Sequence, residues 1–157
     1  MTAQLDIGRW ETELFAILEE TFERVQGIYL DRGTSLFETL ATITAAEASQ
    51  PISSQCASIA AQVFHVRYYL AVLSGYMRQQ PPESVDWPAS WRVTTVSPEE
   101  WDDLRQSLCD SYQQVRQLCQ SFEAWDGDED ISGALAIVVH TAYHLGEIRQ
   151  ALGVLRG

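Results

Sequence analysis

Four stretches of the chain carry apolar residues at three- and four-residue steps, and no stretch reads convincingly as a strand. The first covers about 5–28, where Trp10, Leu14, Ile17, Leu18, Phe22 and Val25 form one stripe before Gly27 and residues 31–33 break it. A weaker segment over 35–46, with Leu36, Phe37, Leu40 and Ile43, predicts one short helix across the end of the structure. Pro51 and the serines behind it mark a restart, and a second long helix is expected over 54–77, with Ile59, Val63, Val66, Leu70 and Leu73 inward. Pro81-Pro82 ends it. Residues 80–97, with Trp87, Pro88 and Trp91, form the longest irregular stretch, a length that goes with a functional loop or a packed lid.

The sharpest local signal is Ser97-Pro98-Glu99-Glu100, read as an N-cap, a proline in the first helical position and a capping-box glutamate. A third helix follows to about Phe122, with Trp101, Leu104, Leu108, Tyr112, Val115 and Leu118 on its inner face. After an acidic turn at 126–130 the last helix runs over about 131–152, through Leu135, Val138, Val139, Ile148 and Ala151. The expectation is an all-α protein, one domain over 1–157. It is read as an antiparallel four-helix bundle with a short extra helix and a long loop between helices 2 and 3.

Charge narrows the function classes. The formal net charge is −12 and every basic residue is an arginine, with no basic cluster. A nucleic-acid partner needs a basic surface to displace condensed counterions, so none is expected. No apolar run approaches the roughly 20 residues that cross a bilayer, so no membrane partner is expected either. The first residues lack a basic-then-apolar leader, and Cys56, Cys109 and Cys119 show no CxxC spacing. They read as small buried hydrophobes, and the expected location is cytoplasmic.

The chain has three histidines, His65, His140 and His144. At about 100° per residue, His140 and His144 point the same way from successive turns, as two imidazoles must to share one ion. His65, near the middle of another long helix, could supply a third ligand. Three neutral imidazoles suit Zn²⁺, Ni²⁺ or Fe²⁺ and leave open positions, as catalytic sites do. On residues alone a second reading stays open: core histidines with satisfied rings. The apolar setting AIVVHTAYHLG makes that satisfaction hard to supply. Glu147 faces the same side of its helix as His140; it reads as an acceptor fixing a histidine tautomer, a general base, or a partly solvated glutamate. Tyr69 and Tyr143 could aim hydroxyls into the same cavity or serve as core, and Trp87 and Trp91 could roof it or merely pin the loop.

Two motifs fail on inspection. Asp126, Asp128 and Asp130 imitate the start of a calcium loop, but Ile131 and Ile137 stand where its Gly and Glu belong. Thr141 replaces the glutamate of HExxH, which removes the base of a zinc protease.

The C-terminal HTAYHLGEIRQALGVL resembles the HxxxHxGQI signature of the DinB-like (DinB/YfiT) family of metal-dependent enzymes. SSQCASIAAQVFHVRYYLAVL is similar to that family's second helix, and SWRVTTVSPEEWDDLRQSL to its loop and third-helix start, so the likeness spans nearly the whole chain. The resemblance implies metal ligation by His65, His140 and His144, with Glu147 standing where the family often has Gln. It further implies a homodimer and a metal-dependent thiol transferase working with a low-molecular-weight thiol such as bacillithiol, mycothiol or glutathione. A metal-dependent hydrolase and a non-catalytic or structural bundle are the alternatives.

Overall fold

The computed structural model describes residues 6–157. Asp6 caps the first helix, α1 (Ile7–Phe22), by accepting from the Arg9 N–H at 3.2 Å. Leu14, Leu18 and Phe22 are buried along it. The helix stops at Phe22, not near residue 28, because a side chain captures the following backbone. Glu20 is fully buried, and its carboxylate accepts from the N–H groups of Gln26, Ile28, Tyr29 and Leu30 at 2.6–2.9 Å. Gly27 turns the chain there at φ 91°.

Two short helices follow where one was expected: α2 (Leu36–Leu40) and α3 (Ala45–Ser49). Each has its own capping box, Ser35 with Glu38 and Thr44 with Glu47, so the run 35–46 is punctuated in its middle. Helix α4 (Ile59–Met77) begins later than its apolar pattern suggests. Ser58 caps it, accepting from the Ala61 N–H at 3.1 Å while donating to the Thr94 carbonyl at 2.7 Å. That pair ties the start of α4 to the long loop. A 3-10 turn, Pro88–Trp91, packs on α4 inside that loop.

Helix α5 (Pro98–Gln120) matches the sequence reading closely: Ser97 and Glu100 form the capping box, and all six inner-face residues are buried. Helix α6 (Asp130–Arg156) is the longest. Helix α4 packs against α5 and α6, and α1 packs against α6. Gly133 lets α6 close up on the end of α4, since a Cβ there would sit 2.6 Å from Cγ of Met77.

Among the described residues there are six α-helices, one 3-10 turn and no strand, and no helix is long and apolar enough to cross a membrane. Two further expectations are corrected. Leu135 and Val139 of α6 face outward, 46% and 66% exposed, because that helix is apolar on all sides and has more such residues than inner positions. Cys56 is exposed in the coil before α4, whereas Cys119 is buried and Cys109 half-buried.

Candidate metal centre

Helices α4 and α6 bring the three histidines together. One ring nitrogen from each of His65, His140 and His144 lies within 4.8 Å of the others; His65 and His144 are buried and His140 half-buried. The cluster could therefore hold a metal ion. The Nε2 atoms of His65 and His140 are 3.1 Å apart. Ligands bound at about 2 Å in a tetrahedron sit roughly 3.3 Å apart, so this pair already has the spacing of two zinc ligands.

The hydrogen bonds fix which nitrogens carry protons. Ser90 has one hydroxyl proton, which it donates to the Trp87 carbonyl at 2.6 Å. At His65 Nδ1, 2.7 Å away, Ser90 can then only accept, so that nitrogen is the protonated one and Nε2 keeps its lone pair. His144 Nδ1 meets two acceptors, Glu147 Oε2 at 3.0 Å and Gln62 Oε1 at 3.2 Å. It too carries the proton, which leaves its Nε2 bare. Two lone pairs are thus held in a cluster whose third member could cap one of them with a proton, but not both. His140 Nδ1 is buried without a partner among the described residues. This donor set fits an electrophile better than it fits a closed hydrogen-bond network.

Electrostatics points the same way. Burial, then the charge of His144, lowers His65 to about 4. Burial, then His144 and His65, lowers His140 to about 3. Burial also lowers His144, against the pull of Glu147. The rings are neutral near pH 7, the state in which imidazole ligates.

Aromatic rings enclose the cluster. Trp91 stacks on His65 with centroids 3.9 Å apart, and Tyr69 stacks on His140 at 3.6 Å. Trp87 stands farther out, 6.3 Å from the His65 ring. Tyr143 is corrected: it lies at the surface, 62% exposed and edge-on to His144. One residue separates about 100° of helix, so it cannot share His144's direction. The neighbouring Glu147 carboxylate raises its phenol.

Sequence reasoning missed Ser90 and Gln62. Gln62 left a signal, being a lone amide one turn before His65 in the run IAAQVFHV. Ser90 left none, because only the fold brings the loop over α4. Compared with family models, curated proteins and solved structures, the chain matches none.

Proposed function

We propose that the protein is a divalent-metal-binding protein with His65, His140 and His144 as ligands on a DinB-like four-helix bundle. What supports this reading is the proton placement: Ser90 and Glu147 hold two imidazoles as Nδ1–H tautomers, so their Nε2 lone pairs stay free in a cluster whose third ring, His140, lies 3.1 Å from His65 Nε2. Zn²⁺, Ni²⁺ and Fe²⁺ all suit such a donor set. Elemental analysis of protein purified without a histidine tag is expected to find about one metal per chain. His65→Ala and His144→Ala are expected to lose it while keeping their helical circular dichroism. A native preparation that is folded, metal-free and impossible to load would overturn the reading.

We propose further that the centre serves a thiol transferase acting on small electrophiles. When bound, a divalent ion supplies a Lewis-acidic position that lowers the pKa of an incoming thiol. Glu147 favours this over hydrolysis, because its carboxylate meets His144 at Nδ1, on the far side of the ring from Nε2, and so stands away from the place where a water would need a base. Titrating Co²⁺-loaded protein with low-molecular-weight thiols is expected to change its ligand-field spectrum. No change with any thiol would leave the non-catalytic reading standing.

The homodimer implied by the family resemblance would cover the outer face of α6. Ile131, Leu135, Val139 and Tyr143 stand there at four-residue steps, an exposed ridge that can meet a second copy of itself. Val139→Glu is then expected to sediment as a monomer where the parent sediments as a dimer.

A further inference from the structure

Beside Gln62 and Glu147, the two groups that meet His144 Nδ1, lies a cleft of about 330 Å³. Its walls include Ile52 and Cys56 from the coil before α4, Gln62 of α4, Trp91 of the loop, and Glu147 and Gln150 of α6. Three of these already belong to the cluster: Gln62 and Glu147 accept from His144, and Trp91 stacks on His65. The cleft therefore touches the groups that orient the histidines, without reaching the ligand nitrogens themselves.

Its lining selects by charge. A carboxylate stands in the wall and no Lys or Arg does. Glu147 gives one oxygen to His144 and neighbours the Tyr143 phenol, but it is 42% exposed and a carboxylate has lone pairs to spare for a guest. Trp91 adds an aromatic wall of the kind that attracts cations, and the net charge of −12 raises their concentration near the surface. The volume sits at the small end of ligand sites, the size for one ring or a short chain.

We propose that this cleft binds a small ligand carrying an ammonium or amidinium group, and that Glu147 couples its occupancy to the histidine cluster. The binding stands apart from any metal; the coupling rests on the metal-site reading above. A cation that draws the Glu147 carboxylate toward itself takes from His144 the acceptor that raises its basicity, so metal affinity falls. Linkage requires the metal to weaken the ligand by the same factor.

Benzylamine and benzoate, alike in shape and opposite in charge, are suitable probes. Calorimetric titration of the metal-free protein is expected to show benzylamine binding at least about tenfold more tightly than benzoate, the scale of one charge-assisted contact. Benzylamine should also slow alkylation of Cys56 by iodoacetamide, read at that residue by mass spectrometry. Glu147→Gln, and Ala57→Trp at an exposed position of the same wall, should each weaken benzylamine by a similar factor. Benzoate binding as well as benzylamine, an unprotected Cys56, or unchanged affinity in both variants would each overturn the cleft. Zn²⁺ affinity, measured by chelator competition, should fall several-fold in saturating benzylamine. Unchanged Zn²⁺ affinity would overturn the coupling and leave the metal centre intact. Protein that binds benzylamine as expected but no Zn²⁺ would uphold the cleft and sink both the coupling and the metal reading.

Discussion

Glu20 and the histidine cluster are both polar groups taken out of water, but the chain completes only one of them. The Glu20 carboxylate receives four backbone N–H groups from the turn that follows it, and the turn in exchange has its donors satisfied. Among the histidines, by contrast, Ser90 and Glu147 settle Nδ1 of His65 and of His144, while Nδ1 of His140 has no partner among the described residues. A buried group whose partners all come from the chain is explained by folding. One left partly unpartnered is not explained by folding alone.

Glu20 should prove indispensable to the fold. Glu20→Ala would strand four N–H groups, and the expected loss is about 3–5 kcal/mol at roughly one for each unsatisfied donor. Urea unfolding measures it, and metal content should not change in whatever fraction remains folded. Ser90→Ala makes the opposite cut. Stability should hardly move, while metal affinity falls about tenfold or more as His65 loses its fixed tautomer. Equal metal affinity in Ser90→Ala and the parent would mean that the hydroxyl only fills space.

The remaining effect is a slope with pH. Burial opposes ionisation of Glu20, but the amides of Tyr29, Ile28, Leu30 and Gln26 outweigh it and lower the carboxyl from 4.5 to about 2. Its stabilising contribution is complete above pH 4.5 and fades as pH falls toward 2. His65 and His140 are also depressed, from 6.5 to about 4 and about 3, so below pH 6.5 the unfolded chain takes up protons that the folded one refuses. Metal-free protein should therefore begin losing stability below pH 6.5, ahead of the Glu20 window. His140→Ala should flatten that first decline in urea unfolding followed from pH 7 to pH 4.

These centres also mark where the sequence could be read. Helix α5 was legible almost whole, because its cap and its stripe are local and each inner residue is buried. The end of α1 was not, since the partners of Glu20 lie six to ten residues on, in a turn without periodicity. Outward Leu135 and Val139 were equally hidden, because a helix apolar on every side displays no inner face. The pairing of His140 with His144 followed from one turn of helix. Their meeting with His65, and with Ser90 across 25 residues of chain, depends on how α4 lies against α6 and the loop.

The stack of Trp91 on His65 has an optical consequence. An indole 3.9 Å from the His65 ring would emit beside any ion the cluster held. An ion with a partly filled d shell, such as Cu²⁺ or Co²⁺, would open a non-radiative path for that excited state. Zn²⁺, with its shell closed, would not. On the metal-site reading, the emission of Trp91 would thus tell one class of ion from the other.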